Sequence, residues 1–485
     1  MPPCAKQASP SERSMIRRLL VLFALLWPLP AFAQAAPLTL PLTLNEVLAS
    51  SAQQAPQIVE AMARVRQAEG RALSAQGSFD TVFDVDVQTR VLGYYSGTYL
   101  ESKATRPLTG NGGSLYGGYR VSSGTFPIYE DKAYTDRLGE LKIGGLFALL
   151  RDRAIDDRRG RIAMAARDID AARLEREMVA IGVQARAAAT YQNWVAAGLR
   201  LKAYQGLLDL AEQRRAGIAR QVQLGARPAI LLTEADTNIV RRRALVVRSQ
   251  QEYDAAANAL SFFYRDDNGE RLIAGPERLP ASLPGFRPTR PGQPLDRPDV
   301  QTLSARLVQS ELKLALAENE LKPRLDVRGE LSYDVGATGS GGKSRNGEDA
   351  MVGIRFTVPL QRRTAKGKIA EARAEIDGLR TRQQFVREQI AVEVKGIAIA
   401  VDGAAKTARL AADEAALAAD LAAAERRRFE LGASDFFLLN MREEAATDAG
   451  VRLLDAQARA ALAGIDLAGA TADRAALGLP DGPLP

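Results

Sequence analysis

The sequence has no histidine and only one cysteine, Cys4, which lies ahead of a stretch that reads as removable. These absences exclude a histidine general base, Ser-His-Asp and Cys-His nucleophiles, and a zinc site built from His and Cys. Carboxylate chemistry is left, but only on scattered acids. The composition therefore points away from an enzyme and toward binding, structure or transport, with no cofactor and no metal expected. Past the N-terminal stretch no run of roughly 18 apolar residues occurs, so no transmembrane helix is expected. Nor is one charge sign dominant. The 65 Lys and Arg against 58 Asp and Glu leave +7, and removing residues 1–33 leaves 61 against 57, or +4. With both signs interleaved, that is no nucleic-acid footprint, and no nucleic-acid partner is expected. The triplets Arg241–Arg243 and Arg426–Arg428 lie inside helical patterns and read as solvated faces.

What is present begins with a leader. Met15-Ile16-Arg17-Arg18 forms a basic start, LLVLFALLWPLP (19–30) an apolar core too short for a comfortable span, and Ala31-Phe32-Ala33 an A-x-A cleavage site. Residues 1–33 are thus expected to be a signal peptide cut after Ala33. No cysteine follows the cut to carry a lipid.

Residues 337–344, ATGSGGKS, satisfy the loose spelling of a Walker A loop. A phosphate loop needs a strand before it and a helix opening after it, so that backbone N–H groups and the helix N-terminus face the phosphates. Here a second alternating segment follows. The stretch reads as the glycine-rich tip of a β-hairpin, with no nucleotide site.

The chain repeats itself. Leu224-Gly225-Ala226 precedes Leu231-Leu232, and Leu431-Gly432-Ala433 precedes Leu438-Leu439, an offset of 207 that also pairs Ile162 with Ile369 and Asp170 with Asp377. Upstream, Pro56, Glu69, Asp84 and Val85 pair with Pro298, Glu311, Asp326 and Val327 at an offset of 242. The 35-residue difference must fall between Val85 and Ile162. Each copy reads as helix, β-hairpin region, long α-hairpin. The expected organisation is a first repeat over 34–265 (strands within 79–148, α-hairpin 155–265) and a proline-rich connector over 266–297. A second repeat follows over 298–478 (strands within 324–358, α-hairpin 362–478), with a tail at 479–485.

Leu325, Val327, Leu331, Tyr333 and Val335 alternate with Asp326, Arg328, Glu330, Ser332 and Asp334. Val352, Ile354, Phe356 and Val358 alternate with Gly353, Arg355 and Thr357, and Phe83, Val85 and Val87 with Asp84, Asp86 and Gln88. One apolar face and one charged face suit a strand between lipid and water, or the half-buried strand of a soluble sandwich. In the first copy three segments, 79–92, 112–122 and 138–147, look strand-like. Returning the chain to its own side needs an even number, so one of them is expected to be a loop arm or interrupted strand.

No proline occurs from Arg161 to Leu224. A helix of that length would span roughly 95 Å, longer than a compact domain. A seven-residue row runs through Ile162, Ile169, Val183, Ala197, Tyr204, Ala211 and Ile218, and again through Ile369, Ile376, Ile390, Ile397, Ala404 and Ala411. Such spacing implies helices packed as coiled coils. Gly225 and Gly432 are placed to end the long helices.

The order of these parts resembles the TolC-like outer-membrane efflux proteins, over about residues 40–478. The resemblance is carried by LLRDRAIDDRRGRIAMAARDID (149–170), VPLQRRTAKGKIAEARAEID (358–377) and FELGASDFFLLNMREEA (429–445). It implies a mostly α chain with a membrane β-barrel part: a homotrimer in the bacterial outer membrane, four strands per chain closing one twelve-stranded barrel in lipid. An α-helical tunnel would continue into the periplasm. It implies an exit duct for a tripartite efflux or type I secretion system, docking to a periplasmic adaptor and an inner-membrane pump through the tips at Gly225, Ala226, Gly432 and Ala433. Residues just past the tips, Leu231 and Glu234 in one hairpin and Leu438 and Met441 in the other, would line the periplasmic constriction. Many relatives carry an aspartate where Met441 stands, so an apolar seal is expected instead of an acid ring. Glu234 would be either the main nearby carboxylate or an ordinary first-turn acid. The rival reading is a periplasmic coiled-coil adaptor or scaffold.

Overall fold

Thr43 accepts a hydrogen bond from the Glu46 backbone N–H at 3.2 Å and so starts helix α1 (Leu44–Gln54). Pro56 then begins α2 (Pro56–Gln76), where its missing N–H costs nothing. The structure is a computed structural model that describes residues 40–127, 133–289, 297–338 and 348–480. The leader 1–33 and most of ATGSGGKS lie outside the described residues.

After α2 come four strands, β1 (Val82–Thr89), β2 (Thr98–Pro107), β3 (Ser114–Ser123) and β4 (Glu140–Ala148). The first long helix, α3 (Asp157–Gln223), follows and returns as α4 (Ile230–Leu260). The later part of the chain runs α5 (Pro298–Glu320), β5 (Arg324–Asp334), β6 (Glu348–Thr357), α6 (Arg363–Glu430) and α7 (Phe436–Ala470). All six strands form one antiparallel sheet in chain order, β1 to β6.

The first half of the chain therefore departs from expectation. The three strand-like segments are all strands, and evenness is met by a fourth, β2, that sequence reading passed over. Its outward side chains, Leu100, Ser102, Ala104 and Arg106, lack the row of large apolar residues by which the others were recognised. Among the described residues six strands make up the sheet, where four were expected.

At 67 and 68 residues, α3 and α6 are about 100 Å long. Asp156 caps α3 by accepting from the Arg158 and Arg159 N–H groups, both at 2.9 Å. Helix α3 packs along α2, α4, α5 and α7. Its middle is the hydrophobic core, where Tyr191, Trp194 and Val195 meet Leu48 and Ile58 of the first helices, Leu260 of α4 and Ile465 of α7. The core is stitched by polar groups. Tyr191 Oη donates to the Leu42 carbonyl at 2.7 Å, and Gln184 Nε2 donates to the Leu48 carbonyl at 2.9 Å. The connector joins in: Arg278 pairs with Glu46 at 2.8 Å, and Leu279, Leu283 and Phe286 pack on the core.

Candidate functional site

Two regions carry the features that sequence reading singled out, the sheet and the hairpin tips. In an antiparallel sheet directly opposed residues share a face. One face collects Phe83, Val85, Val87, Leu141, Ile143, Leu331, Val352, Ile354 and Phe356. These side chains are largely exposed; Val352 is 79 % so. The opposite face is charged and knitted together. Arg120 donates to Glu101 at 2.9 Å and Lys142 pairs with Glu140 at 3.1 Å. Tyr116 donates to Glu330, and Arg328 Nε donates to the Tyr116 hydroxyl at 3.1 Å. Among the described residues no helix is long and apolar enough to cross a membrane.

At the far ends of the long helices the two tips have the same geometry. Gly225 and Gly432 both take φ of 75°, a left-handed conformation that glycine adopts without steric cost. Gly225 N–H donates to Val222 at 3.0 Å and Ala226 N–H to Gln221 at 2.9 Å; Gly432 donates to Phe429 at 3.1 Å and Ala433 to Arg428 at 2.8 Å. These paired bonds satisfy carbonyls left open by the helix ends. A Cβ at either glycine would meet nothing within 4 Å, so the tips are open ground. Leu224 and Leu431 beside them are 76 % and 84 % exposed.

Below the tips, all four long helices converge on a small cluster. Ile218 of α3, Ala235 of α4 and Phe436 of α7 are buried there, with Val222, Leu231 and Phe429 of α6 against them. Leu231 is thus half-buried within its own chain, Leu438 is half-buried, and Glu234 and Met441 are exposed. Helix α4 starts at Ile230, which puts Glu234 just past its first turn.

A buried charge cluster that sequence reading missed lies next to this one. Glu443 of α7, only 4 % exposed, accepts from Arg214 of α3 at 2.7 and 2.8 Å and from Arg426 of α6 at 3.1 Å. Burial alone would push its carboxyl up, but the hydrogen bonds from Arg214 and the charges of Arg214 and Arg426 outweigh it and hold the pKa below the usual range. Nothing local in the sequence links positions 214 and 443; only the packing of α3 on α7 does. The same packing corrects the solvated reading at one position, Arg242, while Arg241, Arg243 and Arg426–Arg428 are exposed as expected. Arg242 is buried, donates to the Leu207 carbonyl at 3.0 Å and has its pKa lowered by that burial, while Arg426 belongs to the Glu443 cluster. Arg243 fits the solvated reading, pairing with Glu212 on an exposed face at 2.7 Å.

No protein-family model matches the chain, and no curated protein matches it significantly. Solved structures do. The outer-membrane channel OprN is 16 % identical, with 88 % of this chain and 89 % of that one covered, at a TM-score of 0.61. The CmeC outer-membrane channel of Campylobacter jejuni is 15 % identical, covering 89 % and 85 %, at 0.60. The open state of the MtrE outer-membrane channel of Neisseria gonorrhoeae is 15 % identical, covering 90 % and 89 %, at 0.59. At such identities the likeness is one of fold: this chain is built as the TolC-like outer-membrane channels are.

Proposed function

We propose that the protein is an outer-membrane channel, a passive exit duct across the periplasm for an efflux or secretion system. The single observation that carries this reading is the two-faced sheet. An exposed apolar face backed by a face of paired charges is what a wall between lipid and a water-filled lumen requires. An open sheet edge is not tolerated in lipid, so one chain is not enough; a homotrimer closing one barrel supplies the missing partners. In this reading the chain is an internal duplication and acts without catalysis. Its long helices line a periplasmic tunnel, and the tips at Gly225, Ala226, Gly432 and Ala433 meet an adaptor protein coupled to an inner-membrane pump. Leu231, Leu438 and Met441 supply an apolar constriction, which shuts by excluding water. A soluble periplasmic scaffold or adaptor has no use for the apolar sheet face and is not favoured.

Reconstitution in planar bilayers tests the reading. Discrete conductance steps from a trimeric species are expected; a stable monomer without conductance would count against the channel.

A further inference from the structure

The resemblance to outer-membrane channels implies four strands per chain, yet six are present, and the extra pair is built into the sheet. Strand β1 corresponds to β5 through the repeat that aligns Asp84 with Asp326, and β4 precedes α3 as β6 precedes α6. The hairpin β2–β3 is therefore the insertion. Its turn is fastened to the sheet at the helix-proximal end. Asn111 Nδ2 donates to the Ala148 carbonyl at 2.8 Å, and its Oδ1 accepts from the Ala148 N–H at 2.9 Å. Gly112 N–H donates to the Asp152 carbonyl at 3.0 Å. A Cβ on Gly113 would lie 1.8 Å from the Leu146 carbonyl oxygen, so the turn fits there only with glycine. Side chains add to the backbone ladder. The Arg120 bond to Glu101 crosses from β3 to β2, and the Tyr116 bond to Glu330 crosses from β3 over β4 to β5. It passes above Gly144, whose Cβ would otherwise meet the Tyr116 ring at 2.5 Å.

The two edges left unpaired within the chain match each other. Strands β1 and β6 are exposed along both faces. Six strands in strict up-and-down order make β6 of one copy antiparallel to β1 of the next. Asp84 stands two residues inside the helix-proximal end of β1, and Arg355 two residues inside the helix-proximal end of β6. Both lie on the charged face, and among the described residues neither has an ion-pair partner. Set opposite one another, they align Phe83 with Phe356, Val85 with Ile354 and Val87 with Val352 on the apolar face.

We propose that three copies close an eighteen-stranded barrel, six strands from each, through seams that join β1 of one protomer to β6 of the next with Asp84 against Arg355. This rests on the trimeric-channel reading and replaces its twelve-stranded barrel. At a strand spacing of about 4.8 Å and a tilt of about 40°, eighteen strands give a backbone diameter of about 36 Å, against about 24 Å for twelve. The outer mouth is correspondingly wide, and the narrow point of the duct lies elsewhere.

Cysteine cross-linking in isolated outer membranes tests the seam, in a Cys4→Ser background. The pair Asp84→Cys with Arg355→Cys should give a covalent trimer on oxidation, and neither single variant should. The pair Tyr116→Cys with Arg355→Cys, which a twelve-stranded barrel edged by β3 would bring together, should give none. A trimer that cross-links only through the Tyr116 pair, or through neither, overturns the eighteen-stranded barrel and leaves the channel standing. Absence of any trimer overturns both. Imaging the unmodified trimer in a lipid nanodisc decides the strand number, because a twelve-stranded barrel without the β2–β3 hairpin would keep the same β1 and β6 edges, and it keeps the test open if a variant fails to assemble: a barrel about 36 Å across supports the proposal, and one about 24 Å across refutes it.

Discussion

Glu443 on α7 is gripped by the guanidinium of Arg214 on α3, through bonds of 2.7 and 2.8 Å to its two carboxylate oxygens. The pair ties the first α-hairpin to the second just below the tips, beside the apolar cluster of Ile218, Ala235 and Phe436. Removing one partner of a buried pair strands the other charge, at a cost of about 3–5 kcal/mol when no other partner remains. Arg426 stays beside Glu443, so Arg214→Ala should cost somewhat less, about 2–3 kcal/mol, read as a lower unfolding midpoint in detergent at neutral pH. The pKa of Glu443 is depressed in the folded chain. Its contribution is then full above the unfolded value of about 4.3 and fades as pH falls through the folded value. The gap between the unmodified protein and the variant should narrow in acid; a gap that is constant with pH would mean that the pair contributes by packing alone.

Tyr191 gives the opposite pH dependence. Burial in the core, with the charge of Glu46 nearby, raises its pKa to about 12. The neutral phenol is favoured by folding, so this stability is full below the unfolded pKa of about 10 and is lost between about pH 10 and 12. Tyr191→Phe should lose the bond to Leu42, about 1 kcal/mol, and should also flatten the alkaline decline in unfolding midpoint. An unchanged alkaline decline would assign it to other groups.

The tips should tolerate bulk but resist the backbone. Gly225→Val and Gly432→Val each force a β-branched residue to a φ of 75°, at roughly 1–2 kcal/mol, although the surrounding space is open. Gly225→Asn, which accepts this conformation more readily, should be milder. Equal losses for Val and Asn would point to a contact with a partner protein instead of backbone strain. Cysteines at Ala226 and Ala433 should cross-link to an adaptor in cells; capture only from mid-helix positions would remove the docking assignment.

Glu234 is exposed and makes no hydrogen bond or ion pair among the described residues. It stands just beyond the first turn of α4, where the helix dipole is weak. Glu234→Gln is expected to leave the cation selectivity of the conductance unchanged, with Met441→Asp raising it above that of the unmodified protein. A loss of selectivity in the Gln variant would make Glu234 the controlling carboxylate.

Local chemistry alone determined much of this molecule. The proline-free run with its seven-residue rows became α3, and Leu-Gly-Ala became a left-handed turn at both tips. Alternation marked the strands whose outward side chains are large, because period and side-chain size are properties of neighbouring residues. Strand β2 escaped because its outward row holds one large apolar residue, Leu100, with Ser102, Ala104 and Arg106 small or polar; it is a strand because β1 and β3 pair with it. The burial of Arg242 and the grip of Arg214 on Glu443 were equally illegible. They depend on helices far apart in sequence lying side by side, and the cost of burying a charge is decided by whatever that packing brings within hydrogen-bond reach.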